Sequence, residues 1–139
     1  NKRYFFDIFQ DKNIKIIRNL DSISLTKTYI SEVTQVVLTL LQNAEEILVE
    51  KNIEKPYIKI NTFEDEKHLY IQIIDNGGGI PLEVFDRIFD PYFSTKHEKN
   101  GTGLGLYFAK NIIENNCNAL LSVKNDLDEA IFTIKFNRD

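Results

Sequence analysis

The chain has 139 residues, of which 42% are hydrophobic and 27% are charged, a balance typical of one globular domain. Its formal net charge of -4 lacks the basic excess of a nucleic-acid-binding domain, and no apolar run approaches the roughly 20 residues that span a bilayer. The single cysteine, Cys117, excludes an internal disulfide and fits a reducing compartment. Because the chain begins with Asn1 and not with methionine, we expect it to be part of a longer protein.

The first third of the chain is predicted to hold a helix end, two strands and one long helix. Residues 4–10 are rich in aromatic side chains, which is typical of a helix that enters from a preceding segment. Short apolar patterns predict strands at 14–17 and 22–29. A long helix is predicted at 31–51, with Ser31 as its N-cap, because apolar residues recur there at helical spacing.

The rest of the chain alternates between strands and one further helix. Strands at 57–63 and 68–74 flank a short charged turn, which predicts a hairpin. A second helix is predicted at 104–116, followed by strands at 119–123 and 130–136. The order of strands, helix, hairpin, loop, helix and hairpin indicates an α+β fold in one domain, with helices on one face of a mixed, mostly antiparallel sheet.

Asn43 and Asp75 are the first candidate site residues. Asn43 lies at the edge of the apolar stripe of the long helix, where an amide oxygen can bind Mg²⁺ or accept a bond from nearby backbone. Asp75 ends a strand and opens the segment Asp75–Pro81, which contains three consecutive glycines. Glycines let the backbone approach a flat ligand closely, and the Asp75 carboxylate can accept a bond from the adenine amine or cap the turn.

Two later segments are candidates for binding phosphate. Phe89–Lys96 places aromatic residues beside a proline and ends in a lysine, which suits a hinged lid with a cation at its tip, or a loop anchored by core aromatics. Gly101–Leu106 opens the second helix, where unpaired N–H groups favour anions. This glycine pattern is neither a Walker A motif nor a Rossmann fingerprint, because a Gly-Lys-Ser/Thr run and a preceding strand are both missing.

Together the four segments resemble the N, G1, F and G2 boxes of the sensor histidine kinase catalytic domain. This domain is a member of the GHKL superfamily, which also holds gyrase, mismatch-repair and chaperone ATPases. The short lid resembles that of nitrogen-regulation sensors. The resemblance extends over residues 12–137, and the matching boxes are Gln42–Ala44, Asp75–Pro81, Phe89–Lys96 and Gly101–Leu106.

The resemblance implies a two-layer α/β sandwich that binds ATP and Mg²⁺ between the long helix and the lid. Asn43 would hold the metal and Asp75 the adenine amine, Phe89 would anchor the lid, and Lys96 would lie near the γ-phosphate. Asn43 and Lys96 are therefore the implied catalytic residues. The other implied nucleotide-binding residues line the base pocket or the phosphate loop: Gly77, Gly79, Ile80, Gly101, Thr102, Gly103, Leu104, Gly105 and Leu106.

The implied activity is transfer of the γ-phosphate to a histidine on a dimerisation domain of the same protein, which in turn serves a response regulator. Residues 1–11 would be the remnant of a linker or helix from that domain. His68 and His97 are the only histidines, and neither lies on an amphipathic helix suited to a phosphoacceptor. The resemblance further implies a cytoplasmic, monomeric domain without nucleic-acid or membrane contacts, whether or not the parent protein is membrane-anchored.

Two segments depart from the family pattern, at Thr39 and at Glu129–Ala130. Thr39 stands where histidine kinases usually have Asn and the ATPases have a catalytic Glu, so hydrolysis as the main activity is disfavoured. Glu129 and Ala130 replace the usual Gly-Thr before the last strand, which removes a water-mediated contact to adenine. These departures keep open a non-catalytic nucleotide-sensing module, whereas an anti-sigma-type serine kinase would need an acidic base in place of Thr39. A purely structural domain would not need the glycines and Lys96 where they are.

Overall fold

The computed structural model describes residues 13–25, 27–93 and 104–138. Its regular elements, in chain order, are β1 (Lys15–Leu20), α1 (Lys27–Glu50), β2 (Tyr57–Glu64), β3 (His68–Asp75), a short 3-10 helix (Phe85–Arg87), α2 (Gly105–Asn111), a π-helical turn (Ile112–Asn116), β4 (Ala119–Asp126) and β5 (Glu129–Asn137). The predicted hairpins and both predicted helices are confirmed. The helix end predicted at 4–10 lies outside the described residues.

The five strands form one mixed sheet in the order β1-β2-β3-β5-β4. β1 runs parallel to β2, and the other neighbours are antiparallel. A parallel pair needs a long crossover, which α1 supplies between β1 and β2. The two antiparallel hairpins then complete the sheet, so the predicted α+β class with a mixed, mostly antiparallel sheet is confirmed.

The core lies between the helices and one face of the sheet. α1 places an apolar stripe on that face at helical spacing, and β3 and β5 contribute every second side chain from below. Each such side chain stabilises the fold by about 1.5–3 kcal/mol when fully buried. Among the most deeply buried side chains are Val36, Leu40, Leu48, Ile58, Ile73, Ile113, Leu121 and Ile134.

The strand predicted at 22–29 and the N-cap predicted at Ser31 are both wrong. Residues 21–25 form no regular structure, and α1 begins at Lys27. The alternation that suggested a strand arises because Ile23 and Leu25 reach the core from an irregular segment. Tyr29 also packs on the core one turn before Val33, so the apolar stripe of α1 begins earlier than predicted and Ser31 lies inside the helix.

The second predicted helix changes its hydrogen-bonding pattern partway along. It is α-helical from Gly105 to Asn111 and π-helical from Ile112 to Asn116. The wider π turn still buries Ile113 completely, at 0% exposure. A positive φ of 51° at Asn118 then reverses the chain into β4, a conformation that asparagine tolerates better than most residues.

Candidate functional site

Several elements begin or end along the same edge of the sheet, which is formed by strand ends and not by an outer strand. This edge carries the candidate site. Asp75 is the last residue of β3 and lies in register with Ile58 near the start of β2 and Ala130 near the start of β5. α1 ends beside this edge, because Lys51 follows its last residue and reaches the glycine segment. The strand ends and the helix end therefore surround one carboxylate.

Asp75 is buried deeply for a charged residue, with 2% of its surface exposed. Its Oδ1 accepts a hydrogen bond from the Gly77 amide at 2.9 Å. Burial raises the pKa of Asp75 to about 6, while the Gly77 bond and the charge of Lys51 oppose the rise and Glu129 adds to it. A carboxyl group whose pKa is so strongly perturbed, at the end of a strand, is typical of a binding site.

Gly77 must be glycine because the chain passes too close to its neighbours for any side chain. A Cβ at this position would lie 2.7 Å from Ile47 Cγ2 on α1 and 2.9 Å from Asp75 Oδ1. The segment is therefore pressed against α1 and against the carboxylate at once. This close approach is the physical reason for the glycine, and it fixes the position of the Asp75 side chain.

The end of β4 and the turn that leads into β5 brace the rest of the glycine segment through hydrogen bonds. Gly78 has a φ of 92°, and its amide donates to the Asp128 carbonyl at 2.9 Å. The Asn125 side chain binds the Ile80 backbone twice, accepting from its amide and donating to its carbonyl, both at 2.8 Å. Gly79, at φ 78°, passes so close to Asn125 that a Cβ would lie 3.1 Å from its Oδ1. Sequence reasoning missed this brace, because nothing in the chain near Asn125 marks it.

Removing this brace is expected to loosen the glycine segment without unfolding the domain. Asn125→Ala deletes both bonds to Ile80, and we expect the Ile80 amide to exchange hydrogen roughly fivefold faster, because local opening becomes about 1 kcal/mol easier. Amide exchange measured by NMR checks this expectation. Ser122→Ala, an exposed position on the same strand, is the matched control. Unchanged protection of Ile80 in Asn125→Ala would contradict the role of the turn.

Asn43 lies in the middle of α1 and is half-buried, as predicted. None of the residues in the described ranges forms a hydrogen bond with its carboxamide, so the predicted alternative of a backbone partner is not observed. One turn earlier, the Thr39 hydroxyl donates to the Gln35 carbonyl at 3.0 Å and is occupied within the helix. A half-buried amide that has no partner among the described residues can be satisfied by water, by a metal ion or by a polar substrate.

The start of α2 lies against the same stretch of α1. A Cβ on Gly105 would lie 3.6 Å from Thr39 Cγ2, which shows how closely the two helices approach. Leu104 precedes the helix and its carbonyl accepts the first helical bond from Phe108 at 2.9 Å. Leu106 packs on the core. Thr39 stands one turn before Asn43 on α1. The approach of Gly105 to Thr39 therefore brings the described part of the predicted phosphate loop, Leu104, Gly105 and Leu106, to one turn from Asn43.

Phe89 anchors the chain at the point where the predicted lid begins. Its ring meets Phe132 of β5 edge-on, with 6.2 Å between centroids, and the Lys110 ammonium lies 4.8 Å from the Phe89 ring centre. Phe93 also packs on the core, beneath the Arg87 guanidinium at 5.0 Å. The remaining predicted lid and loop residues lie outside the described part of the chain: Lys96, Gly101, Thr102 and Gly103.

A polar cluster beside the site was not predicted from the sequence. The Tyr57 hydroxyl donates a short hydrogen bond to the Glu129 carboxylate, and Lys59 Nζ lies 3.1 Å from the same oxygen. The bond to Glu129 and burial raise the pKa of Tyr57 to about 12. Burial opposes ionisation of Glu129, but the bonds from Tyr57 and Lys59 together keep its pKa below the usual value. Glu129 therefore carries a fixed negative charge next to Ala130.

Comparison with known sequences identifies the family to which the chain belongs. Residues 28–139 match the family described as histidine kinase-, DNA gyrase B- and HSP90-like ATPases, and the chain belongs to this family. A sensor histidine kinase from Rickettsia bellii, described as NtrY-like, is 34% identical over 107 residues. That match covers 77% of this chain and 17% of the relative, so the chain corresponds to a small part of that protein.

Solved structures share the fold. The nucleotide-free catalytic domain of histidine kinase ThkA superimposes with a TM-score of 0.77 at 28% identity, covering 97% of this chain and 88% of that one. ThkA in complex with the response regulator TrrA superimposes with a TM-score of 0.73 at 24% identity, covering 99% of this chain and 39% of that one. The predicted histidine kinase catalytic fold is confirmed. Within the described ranges, no helix combines the length and the apolar character needed to cross a membrane.

Proposed function

We propose that this domain binds ATP with Mg²⁺ and transfers the γ-phosphate to a histidine on a separate dimerisation domain of its own protein. The observation that carries the proposal is the buried Asp75 carboxylate, held by Gly77 at the edge of the sheet that α1 and α2 flank. Burying a charge is costly unless a partner compensates it, and a ligand amine is such a partner.

The base end of the nucleotide is assigned to the glycine segment. Asp75 accepts a hydrogen bond from the exocyclic amine of adenine, and the surface of Gly77 and Gly79, free of side chains, receives the flat ring. Ile80, held by Asn125, packs on the core and supplies an apolar edge to the same pocket. Ala130 has no hydroxyl to bridge a water to the base, so the affinity for adenine depends more strongly on Asp75.

The phosphate end is assigned to Asn43 and to the start of α2. The carboxamide oxygen of Asn43 fits a hard cation, since it is half-buried and has no hydrogen-bond partner among the described residues. When bound, Mg²⁺ would neutralise charge on the phosphates. Leu104, Gly105 and Leu106 are assigned to the phosphates, and the resemblance adds Gly101, Thr102 and Gly103, which lie outside the described residues. Lys96 binds the γ-phosphate from the lid that Phe89 anchors.

The proposed chemistry is positioning of the phosphoryl group and stabilisation of its charge, because phosphoryl transfer needs little covalent help from the protein. Thr39 is a poor base and its hydroxyl donates to the Gln35 carbonyl, so the position that carries the catalytic glutamate of the ATPases does not activate water here. The attacking nucleophile is therefore supplied by a partner, the imidazole of the dimerisation domain.

His68 is unsuited to be that nucleophile. It begins β3, whereas Asp75 ends it, so about 23 Å of extended strand separates the two residues. Its Nδ1 lies 3.8 Å from Asp65 Oδ1 at the far end of the sheet. His97 lies outside the described residues. The structure of ThkA with the regulator TrrA suggests the next partner, and we propose that this domain works in the cytoplasm with a response regulator downstream.

Phosphotransfer between separate domains tests the proposal. The chain is mixed with labelled Mg²⁺-ATP and the dimerisation domain of its full-length protein, and acid-labile phosphate on that domain is measured. Phosphate on the partner, dependent on this chain, is the expected result. Binding of ATP without transfer would instead favour a nucleotide-sensing module, in keeping with Thr39 and Ala130. Absence of ATP binding would refute the proposal.

A further inference from the structure

Lys51 reaches the candidate base pocket from the end of α1. It is the first residue after the helix, and its Nζ donates a hydrogen bond to the Gly77 carbonyl at 2.8 Å. The same ammonium lies 3.7 Å from the position that a Cβ on Gly78 would take. Lys51 therefore holds the glycine segment from the helix side, opposite the brace that Asn125 provides from the β4–β5 turn.

We propose that Lys51 is a positioning residue for base recognition, which holds the Gly77 carbonyl in place beside the Asp75 carboxylate, so that adenine is preferred over guanine. This inference rests on the proposed function, since it concerns the same nucleotide pocket. It adds a residue outside the four matching boxes, and it gives that residue a role in specificity. Lys51 acts through Asp75 and Gly77 and is not itself placed against the base.

The charges around Asp75 come from three elements. Lys51 at the end of α1 favours the carboxylate, and Glu129 at the start of β5 disfavours it. Tyr57 on β2 stays neutral, because its bond to Glu129 raises its pKa to about 12. With burial also against ionisation, the pKa of Asp75 is about 6, close enough to neutrality that losing one cation changes its charge. The Gly77 amide bond also favours the carboxylate, and Lys51 binds the carbonyl of that same residue.

The charge of Asp75 decides which base the pocket accepts. An ionised carboxylate can only accept hydrogen bonds, so it binds the exocyclic amine of adenine and repels the carbonyl oxygen that guanine carries at that position. A protonated carboxyl group can donate to that oxygen. Discrimination between ATP and GTP therefore follows the ionisation of Asp75, and it weakens wherever the carboxyl group becomes protonated.

The test compares the dissociation constants of Mg²⁺-ATP and Mg²⁺-GTP between about pH 5 and pH 8 for wild type, Lys51→Met and Lys51→Arg. The ratio of the two constants is used, because titration of the triphosphate is common to both ligands and cancels. Wild-type preference for ATP is expected to rise through about pH 6. In Lys51→Met the rise is displaced to higher pH by about one unit, with up to tenfold less preference near neutrality. Lys51→Arg restores the wild-type profile, and Lys67→Met, an exposed lysine of the β2–β3 turn, leaves it unchanged.

A second measurement separates this inference from the proposed function. The carboxyl carbon of Asp75 is titrated by NMR in the ligand-free protein, where a higher pKa in Lys51→Met than in wild type is expected. If wild type binds ATP but Lys51→Met shows the same Asp75 titration and an equal loss for ATP and GTP, the role of Lys51 is merely structural and the inference is wrong. If wild type binds neither nucleotide, the proposed function fails and the inference fails with it.

Discussion

Replacing Asp75 with asparagine is expected to stabilise the ligand-free protein at neutral pH. Asp75 is 2% exposed, and burial raises its pKa from 3.8 to about 6. Because the pKa of Asp75 is higher in the folded than in the unfolded state, its protonation contributes in full to the stability of the fold below pH 3.8. This contribution to stability is lost as the pH rises through about 6. The buried charge therefore costs the folded state about 2–3 kcal/mol near pH 7, and the neutral amide removes most of that cost.

Thermal unfolding as a function of pH measures this effect. The melting temperature of Asp75→Asn should match that of wild type near pH 4 and exceed it by several degrees above about pH 6. Asp21→Asn, an exposed carboxyl group at the opposite end of the sheet, is the control and should show no such divergence. A variant that is less stable than wild type at pH 7 would show that Asp75 is a structural anchor and not a strained binding group.

The same substitution is expected to weaken ATP binding by about 10- to 100-fold, because a charge-assisted hydrogen bond to the adenine amine becomes a neutral one. Opposite effects on stability and affinity are typical of a residue kept for binding at the expense of folding. Calorimetric titration of wild type and Asp75→Asn with Mg²⁺-ATP gives the two affinities. If the two affinities are equal and the ligand-free variant is more stable, the energetic cost of burying Asp75 is supported, but Asp75 does not contact the base.

Asn43→Ala is expected to abolish phosphotransfer while leaving the fold intact. The side chain supplies the only metal ligand proposed for this helix, so its loss should lower the transfer rate by at least about 100-fold. Stability should change little, because the carboxamide forms no hydrogen bond with any described residue and alanine is the better helix former. Transfer to the dimerisation domain and thermal unfolding of the free chain are measured on the same preparation.

Gln42→Ala is the matched control, because Gln42 is the preceding residue of α1 and is exposed. It should retain both transfer and stability. Transfer by Asn43→Ala at the rate of the Gln42→Ala control would exclude Asn43 as a metal ligand. A loss of about 2 kcal/mol or more in the free energy of unfolding would instead identify Asn43 as a structural residue of the core edge.

Much of the fold follows from local patterns in the sequence. The apolar stripe of α1 and the alternation of β2 and β3 each have the period of the element that forms. The charged turn at Glu64–Lys67 marks the hairpin between those strands. The start of α1 was predicted too late because Ile23 and Leu25 alternate as they would in a strand. These two side chains pack on the core from an irregular segment and not from a strand of the sheet. Local periodicity cannot distinguish these two cases.

Part of the candidate site could likewise be predicted from the sequence, and part of it could not. Asn43, Asp75 and the glycine segment were predicted because their residue types carry the chemistry at conspicuous positions. Lys51 and Asn125 were missed, because their roles arise from contacts across 26 and 45 residues of sequence. A lysine after a helix and an asparagine at a strand end are ordinary residues until the fold brings them to the backbone of Gly77 and Ile80.

The most direct test of the nucleotide site is a crystal structure of the chain with Mg²⁺ and a non-hydrolysable ATP analogue. We expect the adenine amine within hydrogen-bonding distance of Asp75 and the metal next to the Asn43 amide oxygen. A purine bound elsewhere, with Asp75 still buried against Gly77 and without contact to the ligand, would contradict this expectation.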